Sequence, residues 1–269
     1  MPRVIGPPRG LLAVPSTASV GPGRHRRIAP SAALEDLVQH YWCVSWDQRG
    51  LPPIERRSLP FPHVHLVFEA DAARIHGFRE GRFSTMLSGQ GWVFGVKFRP
   101  AGFRGFLDAP LSDLRGESRL ASAVFGADVD SLRKSIYGAT SDDDRVTLVE
   151  AFLLRRRPAA DPQADRLSVL VDEIAADPTL LSVDAVCARH GISPRALQRS
   201  FREYVGVTPK RVILRYRLHE ALARMEGEQR PDWVRLAADL GYADQAHFIR
   251  DFKAAVGQTP AAYALSLQR

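Results

Sequence analysis

Cysteine is nearly absent from this sequence. Cys43 and Cys187 are the only two, too far apart in the chain to suggest paired metal ligands. That excludes a disulfide framework and a cysteine zinc box, and it suits a reducing compartment. Also missing is any apolar run near the roughly 18 residues that a membrane helix needs. The "LLAV" close to the start is too short for the apolar region of a secretory leader. P-loop, H-E-x-x-H, G-x-S-x-G and dinucleotide fingerprints are absent as well, so no catalytic motif argues for an enzyme. The expectation is a cytoplasmic protein, not an enzyme, that needs no cofactor.

What is present is positive charge. The chain has 269 residues, enough for one or two domains, with 37 Lys and Arg against 30 Asp and Glu. A net +7 favours an anionic partner without naming it. The charge is local: residues 189–217 hold eight cations (Arg189, Arg195, Arg199, Arg202, Lys210, Arg211, Arg215 and Arg217) against Glu203 alone.

The chain divides by period. Residues 1–30 carry Pro2, Pro7, Pro8, Pro15, Pro22 and Pro30 with a basic "RHRR", which predicts a loose arm. Ser31 reads as the N-cap of a short helix through His40. Short alternating runs follow at 41–46, 63–69, 74–78, 82–87 and 92–98, and they predict a small antiparallel sheet or barrel. From residue 118 the apolar spacing becomes helical, and Ser141 before three aspartates marks a helix start. "PAADP" (158–162) reads as a linker. The rest predicts seven helices, at 163–176, 182–189, 194–204, 209–226, 232–239, 244–255 and 260–266. The fold class is therefore α+β: a barrel-like sheet domain with flanking helices over 31–157, then an all-α domain over 163–269.

That second domain contains a repeat. "GISPRALQRSFREYVGVTP" (191–209) returns as "GYADQAHFIRDFKAAVGQTP" (241–260). Leu197 matches Phe248, Arg199 matches Arg250, Phe201 matches Phe252, and Pro209 matches Pro260, all at an offset of 51. Gly191 and Gly241 differ by 50, so the second copy has one more residue in its turn. A short helix, a glycine turn and a second helix make a helix-turn-helix. The apolar i, i+4 pairs dock each second helix and leave its other face to solvent. That face carries Arg195, Gln198, Arg199 and Arg202 in the first copy, and Gln245, His247, Arg250 and Lys253 in the second. Arg can pair with guanine O6 and N7 and Gln with adenine N6 and N7, while other cations hold phosphates.

At these residues the chain resembles the AraC/XylS family of transcription regulators. "YADQAHFIRDFKAAVGQTPAAYA" (242–264) is similar to the family's signature, with Ala246, Phe248 and Arg250 in their places. The resemblance implies two recognition helices laid into successive major grooves of double-stranded DNA, joined by the helix at 209–226. It places base reading on Arg195, Gln198 and Arg199, and on Gln245, Ala246, His247 and Arg250. Ala246 departs from the polar residues usual there and offers only an apolar contact. With Asp244 and Asp251 nearby, the second unit is expected to bind more weakly. RNA polymerase, a small-molecule effector and a second copy of the chain are the further partners implied.

The first domain resembles an uncharacterised N-terminal domain of one AraC-type branch, through "LVQHYWCV" and "WVFGVKFRPAGF". Trp42, Trp46, Phe68 and Trp92 are its candidate effector-pocket residues. "HVHLVFE" also gives His63, His65 and Glu69 the H-x-H-x3-E spacing of a metal-binding cupin, the alternative being a cupin-like metal-dependent enzyme domain fused to a DNA-binding module. The cupin's later histidine is missing, since "AGFRGF" follows Pro100, so no metal is expected.

Overall fold

The computed structural model describes residue 5 and residues 10–12, 20–227 and 232–267. Its first half is built on a six-stranded antiparallel sheet. In chain order the strands are β1 (Gly23–Ile28), β2 (Val38–Gln48), β4 (His65–Phe68), β5 (Ala73–His76), β7 (Gly89–Phe98) and β8 (Ser118–Leu120), arranged β1-β2-β7-β4-β5-β8. A separate ribbon pairs β3 (Ile54–Ser58) with β6 (Phe83–Leu87). Alternation gives the sheet two unlike faces. Tyr41, Leu66, Phe68, Ile75, Phe94, Val96 and Phe98 are wholly buried on one, packed with the side chains of α2 (Asp128–Gly138) and α3 (Asp142–Arg155). Burying each such side chain is worth about 1.5–3 kcal/mol. A short α1 (Ser122–Phe125) precedes them.

Two expectations fail here for the same reason. The predicted helix at 31–40 is a turn followed by β2, because Val38 and His40 pair with Phe98 and Lys97 across the sheet. Residues 23–28 of the predicted arm are not loose. They form β1, with Arg24 and Arg26 held by Asp142 and Asp143 at the start of α3. The "RHRR" therefore has an internal use; residues 1–4, 6–9 and 13–19 of the arm lie outside the described residues. Ser141 does cap α3, its Oγ accepting from the Asp144 N–H. Just beyond the far end of α3, Arg156 bonds Asp128 and the exposed Arg157 bonds Asp36.

All seven predicted C-terminal helices are present within about one residue: α4 (Pro162–Ala176), α5 (Val183–His190), α6 (Pro194–Tyr204), α7 (Pro209–Gly227), α8 (Trp233–Asp239), α9 (Gln245–Val256) and α10 (Pro260–Leu267). They make two cores. α7 changes allegiance along its length, giving Val212 and Ile213 to the first, and Leu218, Ala221, Leu222 and Met225 to the second. The sheet domain completes both, through Phe78 and Ala101 in the first and Leu12 and Leu59 in the second. Polar contacts reinforce that junction. Arg99 meets Asp172 at 2.5 Å, Arg104 meets Glu203 at 2.5 Å, and Arg211 meets Glu80 at 2.7 Å. The buried Arg215 donates to the carbonyls of Pro60 at 3.0 Å and Arg79 at 3.3 Å, and to that of Glu80.

Candidate nucleic-acid interface

Each repeat folds by the same local chemistry. In the first, Ser182 caps α5, and Gly191 ends it in a left-handed turn at φ +62°. In the second, Asp232 caps α8, and Gly241 turns at φ +75°. A chain reversal of this kind favours glycine, because a side chain is strained at positive φ. The closing bonds match too, Ile192 N–H donating to the Cys187 carbonyl and Tyr242 N–H to the Ala237 carbonyl. Ser193 then caps α6 through the Ala196 N–H, and Asp244 caps α9 through the His247 N–H. The extra turn residue of the second copy lies between Gly241 and Asp244, as the offset predicts.

Behind each outer helix the apolar pair is buried, Leu197 at 1% and Phe201 at 0% exposure, Phe248 and Phe252 at 0%. Their burial fixes which side of α6 and α9 faces out. On α6, Arg195, Gln198, Arg199 and Arg202 are all exposed, and among the described residues their three guanidiniums have no ion pair. On α9, Ala246, Arg250 and Lys253 are exposed, while Gln245 and His247 are half-buried. The His247 ring lies edge-on to Tyr242 at 5.2 Å, and its Nε2 sits 3.3 Å from Asp251. Among the described residues, the second face thus has two unpartnered cations where the first has three.

The sequence overstates the free charge. Of the eight cations between 189 and 217, half are consumed inside the protein. Arg189 pairs with Asp177, Arg211 with Glu80, Arg215 with the carbonyls at the domain junction, and Arg217 with the Leu180 carbonyl. Burial lowers Arg215 to about 10, still cationic at neutral pH. The apolar period of α7 carries the signal: Arg215 and Arg217 fall among its buried positions, and only their sequence neighbours suggest an exposed basic patch.

The candidate residues of the sheet domain do not converge. Phe68 is in the core, and Trp92, on the same side, stacks on Tyr137 at 4.1 Å under Arg145. Trp42 and Trp46 lie on the opposite side, Trp42 over Gly95 and Trp46 over Gly91. Strand alternation separates them; only Trp46 and Trp92 border a common recess, an open one of about 600 Å³ at the strand ends. The cupin spacing also fails to gather. His63 lies before β4 with its Nδ1 2.9 Å from the Phe98 carbonyl, His65 accepts from Trp42 Nε1 at 3.3 Å, and Glu69 pairs with Arg74 at 3.3 Å. No group of metal-ligating side chains is assembled among the described residues, nor is any of their helices long and apolar enough to cross a membrane.

Comparison with known proteins agrees with this geometry. Residues 186–266 match a helix-turn-helix domain family, and residues 26–119 match a domain family of unknown function. The F1 operon positive regulatory protein of Yersinia pestis is 34% identical over 85 residues, 32% of this chain and 28% of that protein. The regulatory protein SoxS of Salmonella typhimurium is 35% identical over 83 residues, 31% of this chain and 77% of SoxS. The chain thus spans little more than a quarter of the first relative and about three quarters of the second. Among solved structures, ToxT from Vibrio cholerae aligns over 93% of this chain and 100% of its own, at 11% identity and a TM-score of 0.39.

Proposed function

Because this chain belongs to the AraC/XylS family of transcription regulators, we propose that it reads a specific DNA site with α6 and α9 in successive major grooves. The observation that carries this reading is the pair of outward faces. Two helices, fixed by matched turns and matched buried pairs, each present Arg side chains that, among the described residues, make no ion pair. Base contacts are assigned to Arg195, Gln198 and Arg199 on α6, and to Gln245, Ala246, His247 and Arg250 on α9. Arg202 and Lys253 are assigned to phosphates. Successive grooves lie about 34 Å apart. The 19 residues of α7 span roughly 28 Å, a length of the same order.

The sheet domain modulates this binding through its junction with α4, α6 and α7. A small-molecule effector, a second copy of the chain and RNA polymerase are its proposed partners, and the cytoplasm, where the DNA is, its place of action. The protein acts by binding and not by catalysis.

Selection of DNA from a random-sequence pool at two salt concentrations tests the reading. The expected product is a site with two half-motifs about 10 base pairs apart, with affinity falling steeply as salt rises. Arg199→Ala and Arg250→Ala each relax one half-motif. Binding that is unselective, or selective but indifferent to both substitutions, defeats the proposal.

A further inference from the structure

The DNA-binding reading leaves unused the charged row on the sheet face opposite the core. Antiparallel register sets His40 of β2, Lys97 of β7 and His65 of β4 side by side. All three point away from the core, because their strand neighbours Tyr41, Val96 and Leu66 fill it. Lys97 is 8% exposed, yet among the described residues its ammonium makes no hydrogen bond and no ion pair. It has only the face of Phe61, 4.4 Å away. The carboxylate that acts on it, Asp172, is occupied by Arg99 at 2.5 Å, and Arg27 opposes its charge.

The imidazoles around it are incompletely bonded. His40 Nδ1 and, on α7, His219 Nε2 are buried without a partner among the described residues; His219 donates from its other nitrogen to the Pro60 carbonyl, so its neutral Nε2 is an acceptor. His65 accepts from Trp42 on Nδ1, so its neutral ring carries its proton on Nε2. Burial keeps His40, His63, His65 and His219 neutral by lowering each of them, with the nearby Lys97 adding to the effect. Burial first, and Arg27 second, also bring Lys97 down to about 7. An uncompensated buried cation is costly, and this cluster lacks one component, an anion. With the imidazoles neutral, Lys97 is the one cation of the row, and Arg27 lies near enough to oppose its charge. A monoanion balances it, whereas a phosphate dianion leaves a charge over. The rings of Trp42 and Phe61, both half-buried, give the site apolar walls.

We propose that Lys97, with His40 and His65 beside it, binds a small monocarboxylate, and that α7 senses its occupancy through Phe61 and His219. The Phe61 ring lies flat on His219 at 3.7 Å and 4°, and 5.8 Å from Tyr216, the residue one turn earlier on α7. Movement at the Lys97 ammonium therefore bears directly on the helix that spaces the two recognition units. The sensing half of the inference rests on the DNA-binding reading; the binding half does not.

The full chain is tested with acetate and butyrate against their neutral isosteres acetamide and butyramide, and against inorganic phosphate. Saturating carboxylate is expected to raise the melting temperature by roughly 2–4 °C or more, the amides to do nothing, and Lys97→Met to abolish the response. The lysine side-chain NMR signal, which needs no variant, should show Lys97 becoming harder to deprotonate with butyrate and not with butyramide. Equal effects of acid and amide, a response that survives in Lys97→Met, or a larger response to phosphate overturns the site. For the sensing half, butyrate should change DNA affinity about five-fold or more in the native chain. Tyr216→Leu, which alters the α7 side of the Phe61 contact and not the groups around the ammonium, should still bind butyrate but lose that effect. A chain that binds its DNA site unchanged by butyrate refutes the sensing and leaves the DNA reading intact. A chain stabilised by butyrate that selects no DNA refutes the DNA reading alone.

Discussion

Leu197 and Phe201 of the first helix-turn-helix sit where Phe248 and Phe252 sit in the second, and serine or aspartate caps both outer helices in the same register. The two faces beyond those shared cores have diverged. Among the described residues, α6 shows solvent three unpartnered guanidiniums, while α9 shows one, with Lys253, and has its His247 tied to Asp251. Apolar spacing and caps are what the fold demands of each copy, so they are kept. The outward residues are not bound by that demand, and under the proposed reading each copy is free to meet the DNA differently.

The comparison breaks first at the cores. Phe201→Ala and Phe252→Ala each leave a cavity in a separate cluster, and each should lower stability by about 3–5 kcal/mol in denaturant unfolding. If one of them costs under about 1 kcal/mol, the cores are not equivalent. Next comes the division of affinity. Arg199→Ala should weaken DNA binding by about 1–3 kcal/mol in a titration at fixed salt. Arg250→Ala should cost less, and the reverse order would invert the asymmetry between the units. Asp251→Asn removes the carboxylate beside the second face, and should tighten DNA binding a few-fold with a steeper salt dependence. Smallest is Glu203→Gln. Its bridge to Arg104 is partly exposed, so the change should shift stability by no more than about 1 kcal/mol.

Legibility followed the range of the interactions. The C-terminal helices could be read because their signals are local: Ser182, Ser193 and Asp244 cap within three residues, and Gly191 and Gly241 turn where they stand. β1 could not, because Asp142, which draws Arg24 into place, lies 118 residues later. The same holds for 31–40, where pairing with β7 overrode a plausible N-cap. Among the candidate site residues, the exposure of Arg195, Gln198, Arg199 and Arg202 on α6 was legible from the apolar spacing. What failed was the count of free charge, since the partners of Arg211 and Arg215 belong to the other domain. Lys97 gave no signal at all, for one lysine in an apolar strand acquires meaning only when register sets histidines on either side of it.

Arg215 has a consequence for how the protein lets go of DNA. Its acceptors are peptide carbonyls, which do not titrate, and it is 4% exposed, so mobile ions screen it poorly. Phosphate contacts behave in the opposite way, dissolving as salt rises. Salt that elutes the chain from its site should therefore leave the joint between its halves closed. The released protein then keeps its helices posed and can rebind without reassembling itself.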